Sequence, residues 1–164
     1  MPGTGGLSVN TIQKIKKIYI FEDLKDDELD QIYALAQRRN FMAGETIVFE
    51  GDEGDSCFLL IHGSVEVTKM DEESGEEEKI GRLASGSYFG EMALLGLYTR
   101  TATVTALEAT EALEIEGKPL HDLFYDHPKI GMAFYRAMAL GLVKRLRDTT
   151  DEVSYLKASM QASA

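Results

Sequence analysis

The stretch Phe41–Val67, FMAGETIVFEGDEGDSCFLLIHGSVEV, decides the fold. No helical period runs through it. Its apolar residues cluster in the short runs ETIVFE, SCFLLIHG and SVEV, separated by Gly-Asp turns and by Gly63. Runs rich in β-branched and aromatic residues and bounded by glycine read as strands. In SVEVTKM, Val65 and Val67 alternate with polar residues, so that strand buries one face.

The same punctuation continues downstream. Glycines recur at Gly75, Gly81, Gly86, Gly90 and Gly96, among the further strand-like runs KIGRLA, TATVTAL and EALEIE. Short strands at regular spacing with glycine turns indicate a β-sandwich or barrel. The run DEESGEEE, Asp71–Glu78, falls between two of these strands. It has no EF-hand spacing, so a solvated hairpin tip is expected there rather than a cation site.

Helical periods lie on either side. Ile12, Ile15 and Tyr19 share one face, and Leu29, Ile32, Tyr33, Leu35 and Ala36 repeat the i, i+3, i+4 rule. The acids of FEDLKDDELD, between them, suit a helix N-terminus. Near the other end, Asp126 is expected to cap a helix with Pro128 in its first turn. Tyr135, Ala139, Leu142, Leu146, Thr149, Val153, Leu156 and Met160 then follow a 4-3 pattern. That stripe is either a seam against another helix or the face of a single helix packed on its own domain.

The expected class is α+β: an antiparallel β-sandwich or jelly-roll barrel flanked by N-terminal helices and a long C-terminal helix. Residues 1–40 would form the helical lead-in, 41–117 the β-roll and 118–164 the C-terminal helices, as one domain.

The 164 residues carry a formal net charge of −11 and are 44% apolar. A core is affordable at that composition. The charge argues against general binding to nucleic acid or an anionic membrane, which need clustered Lys and Arg. Cys57 is the lone cysteine, which fits a reducing compartment. The N-terminus has neither a basic nor an apolar signal region, and no run reaches the ~20 apolar residues of a membrane span. A cytoplasmic protein is expected.

Catalytic patterns are missing. His62, His121 and His127 lack a second His or Cys at metal-ligand spacing. There is no P-loop and no G-x-S-x-G elbow. Cys57 lies within an apolar strand run, where thiols are usually inert packing. A metal-binding barrel enzyme of cupin type would need a His cluster that is not there. No catalytic residue, metal or cofactor is expected.

Phe89–Val104, FGEMALLGLYTRTATV, carries the chemistry that is left. Gly90 lets the backbone approach a ligand closely. A short helix starting after it would offer unpaired amides to an anion. Arg100 adds a fixed charge with a fork suited to phosphate. Glu91 can accept a hydrogen bond from a sugar hydroxyl, and Thr101 offers a small hydroxyl beside the Arg. Alternatively, Glu91 and Arg100 simply pair with each other on the surface. One phosphate, one ribose hydroxyl and one apolar face describe a nucleoside monophosphate.

This segment resembles the phosphate-binding cassette of cyclic nucleotide-binding domains, the family of the catabolite activator protein, kinase regulatory subunits and cyclic-nucleotide-gated channels. GSYFGEMALL followed by RTATVTA is similar to the cassette, and FMAGETIVFEGDEGDSCFLLIHGSVEV is similar to the first strands. The resemblance covers most of the chain. It implies a non-catalytic regulatory module with cAMP or cGMP as ligand. Glu91 would hold the ribose 2′-hydroxyl and Arg100 the cyclic phosphate. The backbone at Gly90, Met92 and Ala93 would line phosphate and sugar, and Ala102 closes the same stretch. Thr101 takes the position that is Ser or Thr where cGMP is held by its 2-amino group, although relatives with Ser or Thr there also bind cAMP. Val67 and Leu83 would contact the base.

Channel relatives cap the base with an Arg from the C-terminal helix. A gap-free count from Arg100 reaches Gly141, with Leu142, Lys144 and Arg145 beside it as candidate lid residues. The chain ends four residues past Met160, so no DNA-binding helix-turn-helix is expected. Expected partners are the nucleotide, an unknown protein effector and a second copy along the C-terminal helix. The rival reading is a dimerising interaction scaffold whose pocket is vestigial.

Overall fold

The computed structural model describes residue 21 and residues 24–162. The helix expected through Ile12, Ile15 and Tyr19 lies outside them. The first described helix, α1, spans Asp26–Tyr33 with Asp26, Asp27 and Glu28 in its first turn. Their charge complements the positive helix end, and the Glu28 carboxylate accepts a hydrogen bond from the Lys25 amide at 2.9 Å.

Eight strands follow: β1 (Gln37–Phe41), β2 (Thr46–Val48), β3 (Ser56–His62), β4 (Ser64–Met70), β5 (Glu77–Ala84), β6 (Tyr88–Phe89), β7 (Thr103–Ala106) and β8 (Thr110–Glu116). They form two four-stranded sheets, β1-β8-β3-β6 and β2-β7-β4-β5, with antiparallel pairing throughout. A 3₁₀ helix occupies Glu91–Leu95. Helices α2 (Gly117–Asp126) and α3 (Pro128–Ala162) complete the α+β fold. Among the described residues no helix is long and apolar enough to cross a membrane.

The apolar run in β3 is continuous because both its faces are covered. Cys57, Leu59 and Ile61 point to the helices, into a core with Leu113, Ile115, Leu120, Phe124 and Phe134. Phe58 and Leu60 point between the sheets, into a second core with Phe41, Val65, Phe89, Val104 and Ala112. Period-2 alternation thus sends one strand into two cores. Burial pushes the Cys57 thiol up to about 12, so it is held as an unreactive thiol.

Two local expectations are corrected. The lead-in was expected to be helical to residue 40, but β1 begins at Gln37. QRRNF shows no apolar alternation because its pairing is charged: Arg38 and Arg39 bridge Glu111 and Glu114 of β8 at 2.9 and 2.6 Å. Asp126 does not cap α3; it is the last residue of α2. The α3 N-terminus instead uses the His127 carbonyl, which accepts the Ile130 amide at 3.0 Å, and Pro128 takes the first position, where its missing N–H costs nothing. The run DEESGEEE holds the β4–β5 turn as expected, at 71–76, while its Glu77 and Glu78 open β5; in the turn Asp71 accepts from the Glu73 and Ser74 amides and the Ser74 hydroxyl.

Helix α3 has two parts. Ile130, Phe134, Ala137, Met138 and Gly141 are buried at helical spacing. This face lies beside the stripe read from the sequence, whose Tyr135 and Leu142 pack only at the edge of the first core. From Leu146 to Gln161 every side chain is exposed. Phe134→Ala should therefore cost about 3–5 kcal/mol. Leu156→Ala, 51% exposed, should stay within about 0.5 kcal/mol. Urea unfolding of both variants checks the division; equal costs would contradict it.

Candidate functional site

The loop between β2 and β3 holds Tyr98 and Arg100 by their backbone. The Gly51 amide donates to the Arg100 carbonyl at 2.9 Å, and the Arg100 amide donates to Asp52 at 2.8 Å. The Gly54 amide donates to Tyr98 at 2.8 Å. GDEGDS is thus a cradle that pins the returning arm of the cassette by its backbone.

The cradle also makes room for the Arg100 side chain, which is 9% exposed. A Cβ on Gly54 would lie 2.7 Å from Nη2, and one on Gly90 would lie 2.8 Å from Nη1. Gly90 also sits at φ +75°, a region that side chains disfavour. Any larger residue at either position would displace the guanidinium.

Arg100 donates from Nη1 to the Ser56 carbonyl at 2.7 Å and from Nη2 to Ser56 Oγ at 3.1 Å. Its Cζ lies 6.0 Å from the Phe58 ring centroid. Burial pulls the guanidinium down from its ordinary value, and the Glu114 and Asp55 carboxylates pull the other way. Arginine stays charged at neutral pH regardless.

Glu91 opens the 3₁₀ helix and is 5% exposed. It does not pair with Arg100. Its Oε1 accepts from Arg145 Nη1 of α3 at 2.8 Å, while Arg145 Nη2 donates to the Tyr88 carbonyl at 2.9 Å. The Arg145 guanidinium lies 4.4 Å from the Tyr88 ring centroid, within cation–π range. The pair matters energetically because a buried carboxylate without its partner is strongly destabilising.

A cavity of about 380 Å³ collects these groups. Gly90, Glu91, Met92, Ala93, Arg100, Thr101, Ala102, Val67 and Leu83 all line it. Thr101 is exposed, its hydroxyl 3.6 Å from Met92 Sδ. The Ala93 amide donates to the Gly90 carbonyl over a long 3.3 Å, so it is already engaged. Of the three lid candidates only Arg145 reaches the cavity. Leu142 packs on the first core and Lys144 is exposed.

Other lining residues were not anticipated from the sequence. Phe89 and Val104 come from the inter-sheet core. Ile80 and Gly81 are placed by a bulge in the β4–β5 ladder between Val67 and Thr68. A glycine inside a strand run is the signal that marks such a bulge. Ser56 carried no signal, because its role follows from the sheet register.

Much of the cavity lining is apolar, and its polar side chains are the Arg100 and Arg145 guanidiniums, the Glu91 carboxylate and the Thr99 and Thr101 hydroxyls. Such a site can hold an anion, a sugar hydroxyl and a flat apolar ring together. Among the described residues no group of His, Cys, Asp and Glu is arranged to hold a metal ion.

Comparison with known proteins agrees with this fold. The sequence model for the cyclic nucleotide-binding domain matches residues 38–127. The chain is 38% identical over 92 residues to a cAMP-dependent protein kinase regulatory subunit of Mycosarcoma maydis, covering 56% of this chain and 17% of that protein. It is 37% identical over 90 residues to a cGMP-dependent protein kinase, isozyme 2, of Drosophila melanogaster, covering 55% of this chain and 10% of that one. The chain thus spans under a fifth of either relative. The crystal structure of Thermus thermophilus catabolite activator protein superposes with a TM-score of 0.72 at 29% identity, covering 85% of this chain and 63% of that chain. With the family model matching more than half of its residues, the chain belongs to the cyclic nucleotide-binding domain family.

Proposed function

We propose that the chain is a non-catalytic regulatory module that binds cAMP or cGMP in this cavity and passes binding on through α3. The observation that carries the reading is the Arg145–Glu91 ion pair. It ties the C-terminal helix to a carboxylate that lines the same cavity as Arg100.

In this reading Arg100 takes the cyclic phosphate and Glu91 accepts from the ribose 2′-hydroxyl. Val67 and Leu83 cover one face of the base, and Arg145 is the lid residue. Glu91 then serves two donors, the sugar and the helix. Sharing it changes how firmly α3 is held, so ligand affinity and helix position are linked through one carboxylate. That is a population shift with a named element. Relatives named for cAMP and for cGMP both support the ligand class, and Thr101 bears on the choice between them.

A protein effector, or a second copy of the chain, would read α3. Exposed Leu146, Val153, Leu156 and Met160 favour a homodimer along the helix. The same residues suit the scaffold alternative, in which dimerisation is the whole function and the pocket is idle. The absence of any bound nucleotide at millimolar cAMP or cGMP would favour that alternative.

Calorimetric titration with each nucleotide should give saturable binding to the wild type. Arg100→Leu and Glu91→Ala should each weaken it by about tenfold or more, the scale of a lost charged hydrogen bond, and unchanged affinity in both would refute the site. A nucleotide at 100 times its Kd should also raise stability by about 2.7 kcal/mol, read as a shift in melting temperature. Thr101→Ala should lower cGMP affinity while leaving cAMP affinity close to its starting value. Arg145→Ala should alter affinity for both ligands alike and loosen α3, seen as faster hydrogen exchange in that helix; slow exchange in the variant would exclude Arg145 as the lid.

A further inference from the structure

We infer that Ser56 and Glu114 are positioning residues for the Arg100 guanidinium, holding it ready for phosphate through a hydrogen-bonded chain that crosses the first sheet. The inference rests on reading Arg100 as the phosphate-binding group.

The chain has three links. Arg100 Nη2 donates to Ser56 Oγ at 3.1 Å, Ser56 Oγ donates to Glu114 Oε1 at 3.0 Å, and Arg39 Nη1 donates to Glu114 Oε2 at 2.6 Å. A guanidinium has no acceptor and an ionised carboxylate has no donor. The Ser56 proton must therefore point at Glu114, which turns a hydroxyl lone pair toward Arg100. The Ser56 carbonyl takes a second guanidinium hydrogen at 2.7 Å. Two bonds to one residue fix both the place and the plane of the guanidinium.

Sheet topology sets up this arrangement. Ser56, Glu114 and Arg39 lie on β3, β8 and β1, which are neighbours in the order β1-β8-β3-β6. Glu114 stands opposite Phe58 on one side and Gln37 on the other. Ser56 is 6% exposed, so water does not supply its bonds freely.

The outer link has a further effect. A bare carboxylate near the cavity would repel an incoming phosphate. Arg39 pairs with Glu114, so the pair orients the hydroxyl while contributing little net charge. The bland alternative is that Ser56 and Glu114 only stitch β3 to β8, with no bearing on Arg100.

Two measurements separate these, one of them without nucleotide. In ¹⁵N-resolved spectra of the arginine side chains, wild-type Arg100 should show separate Nη–H signals from slowed guanidinium rotation. Ser56→Ala should collapse them, and Ser56→Thr, which keeps the hydroxyl, should recover them. Glu114→Ala should shift them in the same direction as Ser56→Ala but less. In titrations with cAMP and cGMP, Ser56→Ala should bind about tenfold more weakly, with Ser56→Thr recovering most of the loss and Glu114→Ala showing a smaller loss. Unfolding midpoints are measured alongside to confirm that each variant is folded. Unchanged Arg100 signals in Ser56→Ala overturn the inference, as does wild-type affinity in that variant. Unchanged signals and affinity in Glu114→Ala remove Glu114 from it. If the wild type binds neither nucleotide, the proposed function fails, while the spectra still decide whether Ser56 and Glu114 hold the guanidinium.

Discussion

A buried guanidinium must be given acceptors and must be given space, and much of this site follows from meeting both demands for Arg100. The acceptors are the carbonyl and hydroxyl of Ser56. The space comes from the missing side chains of Gly54 and Gly90. The first glycine lies in the loop before β3 and the second just before the 3₁₀ helix, so the demand ties together segments far apart in sequence. The backbone pairing of Gly51 and Asp52 with Arg100 then fixes the register of the returning cassette arm.

The second organising interaction is the ion pair between Glu91 and Arg145. Its energetic character differs from that of a surface pair, because the Glu91 side chain is 6% exposed while that of Arg145 is 41% exposed. The carboxylate is committed and the guanidinium keeps an alternative in water. An asymmetric pair of this kind can be broken from the helix side at modest cost to Arg145, whereas Glu91 then needs another donor. A ligand hydroxyl at the same carboxylate is one such donor.

Much of this was legible in the residues. The strands from β2 to β4 follow from glycine spacing and apolar alternation, and the nine cassette and strand residues named from the sequence share one cavity. What was not legible has physical reasons. β1 is paired by Arg–Glu contacts with β8, and a run of charged residues has no apolar period to read. β6 is two residues long, too short for any periodicity. The gap-free count reached Gly141, one helical turn short of Arg145, the one of the three lid candidates that meets the cavity; the two are four apart, so they share a face of α3. Counting along the sequence finds the face but not the turn, because the height of a helix over a pocket is set by packing. Gly141 is buried beneath that face and Arg145 reaches past it. Ser56 and Glu114 could not be connected before the pairing of β3 with β8 was known.

The junction within α3 has a mechanical consequence. The helix is anchored up to Arg145 and projects as an exposed rod to Gln161, about 24 Å further at 1.5 Å per residue. A rod fixed at one end converts angle into distance. A tilt of about 10° at Arg145 would carry the far end through about 4 Å, most of one helical pitch. If α3 is the output of the module, as proposed, a small rearrangement around a single carboxylate would produce a displacement large enough for a partner surface to register, and the exposed length of the helix would set the gain.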